Sequence, residues 1–199
     1  SGKSIVFVSG DEEYRSEEGL PMLAKILSQN HGFNCTVLFS INDETGEIDP
    51  ETVDNIPGLR SLKDADLMVM LLRFRELPDE QMAHIIDFIK VGKPVIALRT
   101  STHAFKYLKD TESLFAKYDC ENKDPSFLGG FGRQVLGEAW VAHHGEHGVE
   151  GTRGLIDSQL ANHPVLKGVS DIWCPTDVYA VGELQGNPSV LVWGQVISS

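Results

Sequence analysis

The chain has 199 residues and a net charge of −12, with 41% hydrophobic residues. This length suits one domain with a proper core. Nucleic-acid binding is not expected, because no basic run is present to neutralise phosphates. No apolar run reaches the roughly 20 residues that a membrane helix needs, so no membrane partner is expected. We expect a soluble protein, either cytoplasmic or exported after removal of a signal peptide.

The first hundred residues alternate between apolar runs and amphipathic stretches. Helices are predicted from Glu17 to Gln29 and from Pro78 to about Gly92, where apolar residues recur at helical spacing. Short apolar runs bounded by turn residues predict strands. These strands are residues 3–10, 34–39, 65–72 and 94–98. Strands that alternate with helices over short connections predict an α/β fold with a doubly wound, mainly parallel sheet.

The pattern is weaker in the second half of the chain. A helix is predicted over residues 106–117, followed by a Gly-rich loop over 125–137. Late strands are predicted at 179–181 and 190–193, and neither an internal repeat nor a domain linker is recognised. We therefore expect one domain over residues 1–199.

Polar and charged residues follow three of the predicted strands. Because parallel strands end at the same edge of a sheet, these side chains are expected to lie together. The set comprises Asp11, Glu12, Glu13, Arg15, Arg73, Arg75, Arg99, Thr102 and His103. One interpretation is a polar pocket in which guanidinium groups grip a polyol, carboxylate or phosphorylated ligand. The other is an arginine–carboxylate network that braces the loops, and both can hold at once.

Three histidines near residue 145 raise the question of a metal. His143, His144 and His147 offer imidazoles, and Glu146 offers an oxygen. Adjacent histidines on a strand point to opposite faces, which leaves one of the pair plus His147 on either side. We favour a histidine that lines a pocket and forms hydrogen bonds there. We expect neither a metal ion nor another cofactor. A metal-dependent hydrolase that uses these three histidines is an alternative.

Several motifs, in their order along the chain, carry a resemblance to a known family. They are Ser9-Gly10 to Arg15, Ala97-Leu98-Arg99-Thr100-Ser101, Phe131-Gly132-Arg133, Trp140 with His143-His144-Gly145, His163-Pro164-Val165 with Lys167-Gly168, and Thr176-Asp177-Val178-Tyr179. Most of the chain thereby resembles the ThuA-like (trehalose utilisation) family. Arg99 stands where many members carry histidine, and the family's closing segment after Val196 is not seen in the sequence.

The resemblance implies a flavodoxin-like three-layer sandwich of the class I glutamine amidotransferase-like type, without the cysteine nucleophile. It implies a sugar-processing enzyme of disaccharide or keto-sugar metabolism, with a hydrolase, lyase or isomerase reaction. Candidate catalytic residues are His103, His143 and Asp177. Candidate substrate-binding residues are Glu12, Glu13, Arg15, Arg73, Arg75, Arg99, Thr102 and His144. A non-catalytic carbohydrate-binding or regulatory module is an alternative, and assembly into a homo-oligomer is left open.

Glutaminase activity is predicted to be missing. Glutamine hydrolysis in amidotransferases needs a thiolate nucleophile. The three cysteines, Cys35, Cys120 and Cys174, all lie far from the turn after the fourth strand. We expect no ammonia release from glutamine in a coupled assay. Ammonia release that iodoacetamide abolishes would contradict this prediction.

Overall fold

The computed structural model describes residues 2–198. The chain forms two compact units, Ser1–Leu136 and Gly137–Ser199. The expectation of one domain over residues 1–199 stays a prediction. Within residues 2–198, no helix combines the length and the apolar character that crossing a membrane requires.

The first unit contains a four-stranded parallel sheet in the order β2-β1-β3-β4. The strands are β1 (Ser4–Gly10), β2 (Asn34–Phe39), β3 (Leu67–Leu72) and β4 (Val95–Ala97). Val8 of β1 lies beside Leu38 of β2 and Met70 of β3, and Met70 lies beside Ala97 of β4. The prediction that these four strands are parallel neighbours is confirmed.

Alternate residues of these strands face two separate apolar clusters, because successive side chains of a strand point to opposite faces. Helix α1 (Ser16–His31) packs in one cluster through Leu20 and Ala24. Helix α2 (Asp79–Lys90) packs in the other through Met82, Ile85, Ile86 and Phe88. The apolar stripes that predict both helices are therefore the faces that they bury on the sheet.

The ends of the two helices follow local rules. Gly32 ends α1 with a φ of 68°, a left-handed conformation that glycine adopts without steric cost. Pro78 precedes α2, and Asp79 and Glu80 lie in its first turn, where the helix dipole favours negative charge. Each helix begins and ends within two residues of the position that the sequence predicts.

Sequence patterns are less successful after β4. The predicted helix over 106–117 is wrong, since this described stretch contains turns and the start of a short 3₁₀ helix at Ala116–Tyr118. Apolar residues such as Phe105, Tyr107 and Tyr118 still pack into the core of the unit. Burial, and not helical periodicity, thus accounts for the spacing of apolar residues here.

The second unit consists of two small antiparallel sheets. Strand β5 (Trp140–His144) pairs with β8 (Val178–Val181). Strand β6 (Gly151–Ile156) pairs with β7 (Trp173–Cys174) on one side and with β9 (Val192–Ile197) on the other. The strand predicted at 179–181 lies within β8, whereas the strand predicted at 190–193 overlaps β9 only at its first two residues. The sequence predicts neither β6 nor β7.

A matched pair of methionine variants tests the core of the parallel sheet. Met70 is 0% exposed in the central strand β3, and Met22 is 63% exposed on α1. Met70→Ala should lower the free energy of unfolding by about 2–5 kcal/mol, because it leaves a cavity in a close-packed core. Met22→Ala should change it by no more than about 0.5 kcal/mol. Equal effects in urea denaturation would contradict this placement of β3.

Candidate functional site

A buried carboxylate joins the loops that follow β1 and β4. Asp11 is fully buried, and its Oδ1 accepts hydrogen bonds from the backbone N–H groups of Glu13 at 2.8 Å and Tyr14 at 2.6 Å. Its Oδ2 accepts a hydrogen bond from the hydroxyl of Thr100, in the 3₁₀ turn Arg99–His103. The two loops are therefore fixed to each other at the carboxyl edge of the sheet.

Arg75 provides a second connection at this edge. Its side chain is 1% exposed, and it donates to Glu12 Oε2 at 2.8 Å. It also donates to the backbone carbonyls of Pro50 at 2.7 Å, Thr52 at 3.0 Å and Arg73 at 2.6 Å. Burial lowers the pKa of Arg75, and the nearby charge of Glu12 opposes that shift. All these bonds go to protein groups, so Arg75 braces the loops.

Arg73 lies beside Arg75 and forms ion pairs with both glutamates of the β1 loop. Its Nε lies 3.0 Å from Glu13 Oε2, and its Nη1 pairs with Glu12 Oε1. Its guanidinium also lies 4.4 Å from the centre of the Phe74 ring. The structure thus brings together four of the predicted substrate-binding residues.

Left-handed backbone conformations follow β1, β3 and β4. Arg15, Phe74 and Arg99 have φ angles of 52°, 51° and 41°. Such φ values are unfavourable for residues other than glycine, and they concentrate at functional sites. Arg99 donates from Nη2 to the hydroxyl of Tyr14 at 3.0 Å, with its guanidinium 5.0 Å from the centre of that ring.

The other candidates of the first unit have different environments. His103 is buried, its Nδ1 lies 3.2 Å from the hydroxyl of Thr102, and its ring lies 5.1 Å from that of Phe74. Arg15, in contrast, has an exposed side chain that pairs with Glu18 one turn along α1. Arg15 therefore contacts solvent and its own helix in this structure.

The second unit contains a tighter group of polar side chains, formed by His143, His147 and Asp177. The Asp177 side chain is 0% exposed. Its Oδ2 lies 2.6 Å from Nδ1 of His143, and its Oδ1 lies 2.6 Å from Nδ1 of His147. Thr176 donates to the same Oδ1 at 3.0 Å. We call these three residues the His–Asp–His group.

Local backbone features explain how residues distant in sequence meet here. The turn between β5 and β6 returns His147 towards His143, with Gly145 and Gly148 at φ angles of 110° and 76°. Thr152 of β6 donates to the carbonyl of Thr176 at 2.8 Å and so fixes the residue before Asp177. Each glycine adopts a conformation that would strain most other residues.

A close approach of strands secures the other side of Asp177. A side chain at Gly194 of β9 would place its Cβ 2.6 Å from Val178, the first residue of β8. Only glycine leaves room for β8 at that position. Val178 follows Asp177 directly, so this contact helps to hold the carboxylate in place.

Aromatic rings surround His143. In the β5–β8 pair it lies opposite Tyr179. The ring centres of Trp140 and Tyr179 lie 5.7 and 5.5 Å from that of His143, both in edge-to-face geometry. The ring centre of His147 lies 4.5 Å from that of His143. His144, the next residue along β5, has its side chain on the opposite face of the strand.

This arrangement can move protons. An ionised carboxylate only accepts hydrogen bonds, so with Asp177 ionised both histidines donate through Nδ1–H. A neutral histidine that donates from Nδ1 has an unprotonated Nε2, which can accept a proton from another group. The side chains of His143 and His147 are 33% and 41% exposed, so both rings are accessible. The three residues also offer ligand atoms within 4.8 Å of one another, a spacing at which they could hold a metal ion.

The structure divides the predicted residues between the two units. Glu12, Glu13, Arg15, Arg73, Arg75, Arg99, Thr102 and His103 belong to the first unit, and His143, His144 and Asp177 to the second. The sequence places Asp11 at this edge, but Asp11 is not among the predicted substrate-binding residues, and neither Thr100 nor Tyr14 is singled out. Asp11 directly follows the first strand and is the first of three consecutive acidic residues, Asp11-Glu12-Glu13. His147 and Trp140 are also missing from the predicted catalytic and substrate-binding residues. Both lie within four positions of His143 in the sequence, which is the signal that could have indicated them.

Two of the cysteines have environments unsuited to nucleophilic attack. Burial raises the pKa of the Cys120 thiol to about 12, and burial also raises the pKa of Cys35. A thiol with a raised pKa holds little thiolate at neutral pH. Cys174 is exposed and lies in the second unit, in β7.

Comparison of the chain with protein-family models, with curated proteins and with solved structures gives no match.

A pair of arginine variants separates bracing from surface charge. Arg75→Met should lower the free energy of unfolding by about 3–5 kcal/mol, because it leaves three carbonyls without their donor and removes one of the two cations that pair with the half-buried Glu12. Arg15→Met removes an exposed arginine from the adjacent loop and should leave the melting temperature unchanged. Arg75→Met protein as stable as the wild type in urea denaturation would show that Arg75 does not brace the loops.

Proposed function

We propose that this chain is a ThuA-like protein that acts on a sugar or sugar derivative by proton transfer at the His–Asp–His group. The observation that carries the proposal is the bridging carboxylate, Asp177, which contacts Nδ1 of both His143 and His147 at 2.6 Å. A carboxylate behind a histidine fixes its tautomer and orientation and stabilises the imidazolium that forms on proton uptake. Histidine is the side chain that most often transfers protons in general acid–base catalysis.

Two histidines on one carboxylate suit a reaction that removes a proton at one atom and returns it at another. His143 Nε2 is proposed as the base, since its ring lies among Trp140 and Tyr179. His147, whose ring centre lies 4.5 Å from that of His143, is proposed as the acid. It starts with protons on both Nδ1 and Nε2 and gives the Nε2 proton to the substrate, while His143 Nε2 takes one up. Exchange with solvent, to which both rings are exposed, then removes the proton from His143 and restores that of His147. Asp177 is a positioning residue that acts through both rings.

The aromatic neighbours favour a sugar over a small charged metabolite. Pockets for neutral ligands combine apolar and aromatic walls with a few well-placed polar groups. Trp140 is exposed and lies edge-on to His143, so its ring is available to the apolar face of a sugar. Tyr179 adds a hydroxyl that can donate to or accept from a sugar oxygen.

We also propose the class I glutamine amidotransferase-like, flavodoxin-like fold for the parallel sheet. Its order, β2-β1-β3-β4, is that of the first four strands of flavodoxin-like sheets. Arg99 follows β4 with a φ of 41°, and strained turns of this kind carry the nucleophile in many α/β enzymes. Since arginine cannot attack a substrate, we propose Arg99 as a ligand-binding residue.

The proposal is tested with a screen of disaccharides, keto-sugars and sugar acids. A binding sugar should raise the melting temperature, since a ligand of the native state stabilises it by mass action. Conversion of that sugar is then followed by NMR. His143→Ala should lower kcat by about 10²–10⁴-fold while the sugar still raises the melting temperature. Asp177→Asn should also lower kcat, since an amide cannot orient both rings in the same way.

His84→Ala serves as the control, because it removes a histidine from α2 in the first unit and should leave kcat unchanged. A wild-type protein that binds a sugar but never converts it would favour the carbohydrate-binding module over the enzyme. Unchanged kcat in His143→Ala would remove the His–Asp–His group from the reaction.

A further inference from the structure

We propose that the His–Asp–His group is also a binding site for one divalent transition-metal ion, with His143, His147 and Asp177 as its protein ligands. The inference uses the same side chains as the proposed function but does not depend on any sugar. Metal binding is measured without substrate, so the two proposals can fail separately.

The spacing of the ligand atoms is the first argument. A Zn²⁺ ion binds histidine nitrogen and carboxylate oxygen at about 2.0–2.2 Å, so two ligand atoms of one ion lie at most about 4.4 Å apart. The three residues offer ligand atoms within 4.8 Å of one another. Side-chain rotations that shorten the longest of these separations by a few tenths of an ångström would bring all three atoms within reach of one ion.

The composition of the group selects the kind of ion. Two imidazole nitrogens and one carboxylate oxygen suit zinc, cobalt or nickel, whereas magnesium and calcium prefer oxygen ligands alone. Three protein ligands leave at least one coordination position for water or another small molecule. The exposed fractions of His143 and His147, 33% and 41%, give an ion access from solvent.

The surroundings of Asp177 support the same conclusion. Residues that orient metal ligands through hydrogen bonds commonly lie behind them. Thr176 donates to Asp177 Oδ1 at 3.0 Å, and Thr152 fixes the carbonyl of Thr176 at 2.8 Å. Asp177 itself has a side chain with 0% exposure, so it cannot rotate into solvent and stays directed at the two rings.

Metal binding and proton transfer exclude each other at these atoms. In the metal-free protein the Nδ1 atoms of His143 and His147 face the carboxylate of Asp177. An ion held between them takes the place of the Nδ1 protons, which move to Nε2 of the same ring or are released. A ring coordinated through Nδ1 has no free nitrogen with which to accept a proton. The ion is thus proposed to block the acid–base chemistry of this group.

The test is a titration of the untagged, chelator-treated protein with Co²⁺, followed by visible absorption, and competition by Zn²⁺. We expect one ion per chain. His143→Ala and His147→Ala should each weaken Zn²⁺ binding by at least about tenfold, since even loss of a group behind a ligand costs about 10–100-fold. Circular dichroism establishes that each variant is folded.

His144→Ala is the matched control. It removes an imidazole from the neighbouring position of β5, on the face opposite His143, and should bind Zn²⁺ as tightly as the wild type. Equal affinities of the wild type and the His143→Ala/His147→Ala double variant would overturn the proposal. So would a loss in His144→Ala as large as that in His147→Ala, because the ion would then bind to exposed histidines in general.

Discussion

The second unit depends on the burial of one carboxylate. Placing a charged group such as Asp177 away from water is costly unless hydrogen bonds and opposite charge compensate. His143, His147 and Thr176 supply that compensation, each within 3.0 Å of a carboxylate oxygen. Because the three donors come from different segments, the carboxylate fixes the turn between β5 and β6 relative to β8. The proposed chemistry and the proposed metal site both follow from this requirement.

The first unit solves a similar problem with charges of both signs. Arg75 is buried at the carboxyl edge of the parallel sheet and is neutralised by Glu12, while Asp11 is satisfied by backbone N–H groups and Thr100. These bonds join loops that follow different strands. They also hold the strained backbone that the edge carries, since left-handed residues persist only where the surroundings over-determine them. Bracing of this kind holds the loops at the edge of the sheet in one arrangement.

Much of the first unit could be predicted from local pattern. Continuous apolar runs mark strands buried on both faces, and parallel pairing then delivers the residues after β1, β3 and β4 to one edge. Prediction was weaker where packing competes with periodicity. The sequence over 106–117 predicts a helix, yet the chain forms turns there, and these turns place Tyr107 and Tyr118 in the core of the unit. Strand β6 was not recognised, because Gly151, Arg153 and Gly154 interrupt the alternation on which strand prediction depends.

The sequence by itself determined the α/β character of the first unit, its parallel strands and the gathering of arginines and glutamates at one edge, because period and strand direction are properties of local pattern. It also determined that His143 and His144 face opposite sides of β5, since this follows from strand geometry alone. Only the tertiary structure decided that Asp177 lies between His143 and His147. These contacts join residues 34 and 30 positions apart, and their approach depends on turn geometry, on the glycine at 194 and on the cost of burying a charge.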